Sequence, residues 1–194
     1  MGICQGFAIM VSQSFGAKRF DEMHTYIYAG AVWTAITAFV VSILVVVFCA
    51  DILHILQVND EIFKDAYAYL VVIFAGIPFT LLYNYLSAIL RAIGDSKTPF
   101  LFLAFSAVLN IGLDFFCILV LKWGCAGAAI ATIFAQAVSG ILCLLLIAFK
   151  VNVLHIPKSS RYVDKNHSIK LLAMGVPMGL QFSITAIGLS LIHI

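Results

Sequence analysis

Hydrophobic residues in this chain fall into long runs separated by short polar stretches. Five runs occupy residues 2–15, 25–50, 62–91, 98–121 and 126–148, and a sixth begins near residue 168. Unbroken apolar runs of this length predict helices rather than strands, and a helix needs roughly 20 mostly apolar residues to cross a bilayer. The second to fifth runs meet that need. The first is short for a span, and no signal-peptide cleavage pattern follows it. The last stops before it completes a crossing. Both ends therefore read as cut, with Met1 an internal methionine or a start placed late.

All eleven Lys and Arg residues fall in or beside the polar stretches. Lys18 and Arg19 follow the first run, Lys64 the second, Arg91 and Lys97 the third, and Lys122 the fourth; Lys150, Lys158, Arg161, Lys165 and Lys170 follow the fifth. Basic residues concentrate on the cytoplasmic side of a membrane. The alternation places residues 17–24, 91–97 and 150–167 in the cytoplasm, with the fifth stretch carrying most of the weight. Tyr26, Tyr28, Trp33 and Trp123 lie near the expected interfaces, as an aromatic belt requires. Residues 150–167, broken by Pro157, Ser159 and Ser160, read as a linker between helical bundles.

Composition agrees. The chain is 63% hydrophobic and 10% charged, with a mean hydropathy of +1.11, whereas soluble domains have about 45–50% apolar and about 25% charged residues. The expected fold class is all-α, a polytopic transmembrane helical bundle in contact with lipid. A net charge of +2, with no basic patch interleaved with aromatics, excludes a nucleic-acid partner. Cys4, Cys49, Cys117, Cys125 and Cys143 form no CxxC pair and have no His at metal-ligand spacing, so they read as small thiols in apolar surroundings. No GxxxxGK[ST], HExxH or GxSxG occurs, so neither an ATP-driven motor nor an intramembrane hydrolase is expected. His24, His54, His155 and His167 sit in or near the loops and read as solvated.

Eight of the nine acidic residues lie in loops or at helix ends; Asp114 lies inside the fourth run. An acid at the bilayer centre costs about 2.5–3.5 kcal/mol on insertion scales and is functional by default. Ser106, Asn110 and Asp114 recur at helical spacing, giving an otherwise apolar helix one polar stripe. With residues 91–97 cytoplasmic, Asp114 falls in the outer half of the membrane. Asn110 and Asp114, one turn apart, can offer oxygen ligands to a hard cation such as Na⁺. They can equally make a protonation site, since burial favours a neutral carboxyl, or simply tie helices together. The next run has a stripe of its own, Thr132, Gln136, Ser139 and Cys143, behind a start crowded with Gly124, Gly127, Ala128, Ala129 and Ala131 that suits close packing. Gly76 and Pro78 near the middle of the third run predict a kink, which is either a hinge or a tolerated shape. Tyr67 and Tyr69, nearer the start of that run, read as interfacial anchors.

The chain resembles the prokaryotic multidrug and toxic compound extrusion transporters. The resemblance rests on GFAIMVSQSFGAKR (6–19), LRAIGDSKTP (90–99), LNIGLD (109–114), GCAGAAIAT (124–132) and KLLAMGVPMG (170–179), spread over nearly all of residues 2–188. It implies twelve helices in two six-helix lobes, of which this chain would hold helices two to six and the start of seven. Residues 1–149 would be the amino-terminal lobe without its first helix, 150–167 the linker and 168–188 the start of the second lobe. The tail, 189–194, departs from the pattern, resembles a translated sequencing adapter and is set aside as a scar.

The resemblance also implies that Asn110 and Asp114 help to bind the coupling cation, and that Thr132 and Tyr69 join them. A further acid is expected on the missing first helix. The implied function is not enzymatic. It is a secondary antiporter of the inner (plasma) membrane, exporting drugs or organic cations against Na⁺ or H⁺, with no cofactor beyond the coupling ion and monomeric at full length. Two alternatives stand beside it. A lipid-linked sugar flippase of the related superfamily would place basic residues in its cavity. A non-transporting membrane scaffold would tolerate apolar residues at 110 and 114.

Overall fold

A computed structural model describes residues 2–157, 160 and 162–192, without the side chains of Asn152 and of 190–192. The described elements are helical: α1 (Gly2–Gly16), α2 (Phe20–Val47), α3 (Cys49–Ile55), α4 (Asp60–Ala75), α5 (Ile77–Ala92), α6 (Lys97–Phe115), α7 (Gly124–Lys150) and α8 (Lys165–Ile192), with a π-helical turn at Phe116–Val120 and a 3₁₀ turn at Asn152–Leu154. Four of these helices are long and apolar enough to cross a membrane, and α4 with α5 makes a fifth if the pair is one bent span. The all-α membrane class expected from the apolar runs holds.

One expectation is corrected. The last run does not stop short of a crossing: α8 starts at Lys165, ahead of the apolar run, and 25 of its residues, Lys165–Leu189, form a candidate span. Asp164 sets that start. Its carboxylate accepts the Asn166 amide at 3.2 Å and lies 3.2 Å from His167 Nδ1. The His167 contact, followed by the backbone amides of Asn166, Lys165 and His167, holds the carboxyl below its ordinary range. Of the expected linker, Lys158, Ser159 and Arg161 lie outside the described residues, as do His193 and Ile194 of the expected scar.

The chain divides into two compact units, Met1–Thr34 with Asn84–Pro99 and Cys143–Ile194, and Ala35–Tyr83 with Phe100–Leu142. In the first unit α1 and α8 pack along a glycine seam. A Cβ on Gly6 would stand 2.6 Å from the Gly175 Cα, and one on Gly2 2.6 Å from the Met178 carbonyl oxygen. Residue numbers rise along α1 as they fall along α8, so the helices are antiparallel. Small residues here let backbones touch, which is how helices associate where lipid supplies no hydrophobic drive. Tyr85 then ties α5 to α2 by donating its hydroxyl to the Ile27 carbonyl at 2.6 Å. His24, expected to be solvated, is half-buried instead, its Nε2 2.8 Å from the Val153 carbonyl oxygen. Asp95 accepts the Thr98 amide at 3.0 Å at the start of α6, and this contact with Thr98 holds its carboxyl below the ordinary range.

In the second unit α4 and α5 meet at a 43° bend with Gly76 between them. Pro78 has no N–H, so the Phe74 carbonyl four residues earlier loses its helical donor. That carbonyl accepts instead from a backbone N–H at the helix cap and from the Ser42 hydroxyl of α2, the latter at 2.7 Å. A side chain on Gly76 would collide with Ile133 of α7, which fills the notch. Of the five free thiols, Cys4, Cys49, Cys117 and Cys143 are buried as expected, while Cys125 is exposed.

Gly6→Val puts a branched side chain against the Gly175 backbone, which has no rotamer by which to yield. The expected cost is about 1–3 kcal/mol, read as a lowered unfolding midpoint in detergent, with a smaller loss for Gly16→Val, where nothing lies near the added Cβ.

Candidate functional site

The second unit brings the end of α6 against the start of α7. Lys122 and Gly124 turn the chain with φ of 54° and 59°, a conformation in which glycine is unstrained. A Cβ on Gly127 would stand 2.9 Å from Trp123 Cβ and 3.2 Å from Cys117 Cβ, so only a residue this small admits the approach. Just past Asp114 the helix loosens into the π turn, whose i+5 bonding is closed by the Leu121 amide on the Phe116 carbonyl at 3.1 Å. Such turns are rare and concentrate at functional sites. Nothing in the periodicity of residues 98–121 announced it.

This approach joins two of the expected site residues. Asn110 donates its Nδ2 to Thr132 Oγ1 at 3.3 Å, and Thr132 donates its own hydroxyl to the Ala128 carbonyl at 3.0 Å. Asp114 sits one turn beyond Asn110, half-buried, beside a shallow cavity of about 260 Å³ shared with Ile111, Phe115, Ile118 and Leu119. Its Oδ1 is sealed from solvent with no hydrogen-bond partner among the described residues. A buried polar atom without a partner costs roughly 1–3 kcal/mol, so this oxygen is one that a proton or a cation would satisfy. A carboxylate, an amide and a hydroxyl are hard oxygen donors of the kind Na⁺ accepts. Among the described residues no cluster of three His, Cys, Asp or Glu exists.

Tyr69 is not part of that hydrogen-bonded set. It is 37% exposed and lines a larger cavity of about 830 Å³ with Asp65, Ile118, Cys125 and Ala128, among others. That wall meets the first site at Ala128, the acceptor for Thr132. Asp65, read from the sequence as a loop acid, lies inside α4; its i,i+4 spacing from Tyr69 was the signal that could have put the two on one face. Gly76 and Pro78 lie at the bend already described.

Fold and site together define a polytopic α-helical membrane protein of transporter type, with polar side chains gathered between apolar spans. The family is settled by comparison: the MatE family model matches residues 1–116, and the chain belongs to that family, the multidrug and toxic compound extrusion transporters. It is 37% identical over 139 residues to the probable multidrug resistance protein YpnP of Bacillus subtilis, covering 71% of this chain and 31% of that protein. It is 27% identical over 194 residues to the probable multidrug resistance protein YoeA of the same organism, covering 96% of this chain and 42% of that protein. The chain thus spans well under half the length of these relatives. A solved inward-facing multidrug resistance MATE family transporter matches in fold with a TM-score of 0.86 at 22% identity, over 92% of this chain and 41% of that one. An outward-facing structure matches equally, at 0.86 over 92% and 40%.

Thr132→Val keeps the shape and removes the acceptor for Asn110. The expected loss of stability is about 0.6 kcal/mol, the average for hydrogen bonds between membrane helices, measured by reversible unfolding in detergent. Thr132→Ser, which keeps the hydroxyl, should lose less.

Proposed function

We propose that the protein is a secondary antiporter that exports drugs or small organic cations in exchange for Na⁺ or H⁺, with Asp114, Asn110 and Thr132 as its coupling site. The observation that carries this reading is the Asp114 oxygen, sealed and unpartnered beside the Asn110–Thr132 pair. Neutralising that carboxylate, by proton or by sodium, removes a charge from an apolar setting. If one conformation seals the group more than another, neutralisation biases the protein between them. The relatives support the substrate class: those above are named multidrug resistance proteins, and one from Staphylococcus saprophyticus is named a multidrug export protein. Equal fold matches to an inward-facing and an outward-facing transporter suit alternating access in which this region keeps its fold. Tyr69, across the Ala128 wall, would face the substrate path, and the bend at Gly76 and Pro78 would act as the hinge.

The flippase reading needs basic groups in a cavity. The described Lys and Arg residues are all exposed, and none lines a cavity beside Asp114 or Tyr69. The scaffold reading gives no reason to seal a carboxylate among apolar helices.

Asp114→Asn in the full-length protein should abolish drug efflux and leave membrane insertion intact, measured by dye-efflux assays alongside membrane-fraction blots. Efflux at the normal rate would refute the coupling role. The proposed orientation, with residues 17–24, 91–97 and 150–167 in the cytoplasm, places Cys125 on the outer side of the plasma membrane. A membrane-impermeant maleimide should then label the protein in right-side-out vesicles, and Cys125→Ser should remove that labelling. Labelling of Cys125 only in inside-out vesicles would reverse the topology.

A further inference from the structure

Beyond the coupling site the polar stripe of α7 continues, and two of its atoms are as unpartnered as the Asp114 oxygen. Gln136 lies one turn past Thr132; its Oε1 is sealed from solvent with no hydrogen-bond partner among the described residues, and so is the hydroxyl of Ser139, a residue 0% exposed. Ser106, 6% exposed, lies one turn before Asn110 on α6. Thr132, Gln136 and Ser139 recur at helical spacing on α7, and Asn110, one turn from Asp114 on α6, meets that stripe at Thr132. The stretch from Thr132 to Ser139 adds about 10 Å at 1.5 Å per residue, in the direction of Lys150.

Two buried acceptors that the protein leaves unsatisfied, together with a third on a carboxylate, are a poor packing solution. A packing seam would have alanine here, as at Ala131 and Ala135, both buried in the same helix. A sealed polar atom that finds no protein donor calls for an explanation, and an ordered water or ion is one. We propose that Gln136 and Ser139 extend the coupling site as a water-lined file, along which the coupling cation or proton moves between Asp114 and the Lys150 end of α7. This rests on the antiporter reading above and adds the route by which the ion reaches or leaves the site. Gln136 supplies a carbonyl oxygen to a passing cation or its water, and Ser139 a hydroxyl that accepts from one water and donates to the next.

The test uses the full-length protein in proteoliposomes, with initial rates of radioactive-sodium uptake and of proton entry reported by a pH-sensitive dye. Gln136→Leu should lower the maximal rate about tenfold or more and leave the half-saturating ion concentration nearly unchanged, because the route and not the binding site is lost. Gln136→Ser, which leaves room for a water and keeps a hydroxyl, should restore most of the rate. If Gln136→Leu fails to insert, Gln136→Met, closer to glutamine in shape, replaces it. A Gln136→Leu rate near that of the parent overturns the file, and so does a Gln136→Ser rate as low as that of Gln136→Leu, which marks Gln136 as packing. Asp114→Asn measured beside them separates the two readings. If it is inactive while Gln136→Leu is unimpaired, only the file falls. If it too transports normally, the coupling site falls and takes the file with it.

Discussion

Inside a bilayer no bulk solvent completes a missing hydrogen bond, so each polar atom within a span must find its partner in the protein or carry one with it. Much of this structure is a response to that constraint. The hydroxyl of Thr132 is committed twice, to Asn110 and to the Ala128 carbonyl. Tyr85 reaches across to the Ile27 carbonyl. Where the requirement is left unmet within α6 and α7, the atoms belong to Asp114, Gln136 and Ser139; in the first unit His24, Trp33, Thr34 and Ser168 carry others.

The same constraint explains the use of small residues. Lipid tails are as apolar as the side chains they touch, so helices gain little by burying leucine against leucine. Close backbone contact is what remains, and it is found where glycine permits it, between Gly6 and Gly175, and between Gly127 and the Trp123 and Cys117 side chains. The second of these contacts sets the separation at which Asn110 can reach Thr132. A packing residue without any chemistry of its own therefore decides the geometry of the polar site.

How much of this could be read beforehand depended on whether the signal was local. The spans were legible because hydropathy is a property of contiguous sequence, and Asp114 because one acid stood out among Ile, Leu and Phe. The bend at Gly76 was legible because proline removes a donor wherever it sits. The π turn at Phe116–Val120 was not, since a change in hydrogen-bond register leaves no mark on an apolar run. Nor was the extent of α8, whose start is set by Asp164 outside the apolar stretch. Tyr69 matched its expected place by spacing, yet it lines a cavity to which Asn110 and Thr132 do not contribute. Spacing along one helix says which face a residue shares and nothing about which neighbouring helix that face meets.

The bent helix pair illustrates a further point about assembly. The Phe74 carbonyl, deprived by Pro78 of its i+4 donor, takes a hydrogen bond from Ser42, which stands 32 residues earlier in the chain, beside one from the helix cap. A ribosome delivers the donor before the acceptor. By the time the proline-broken segment is made, the helix that carries this hydroxyl has already been synthesised.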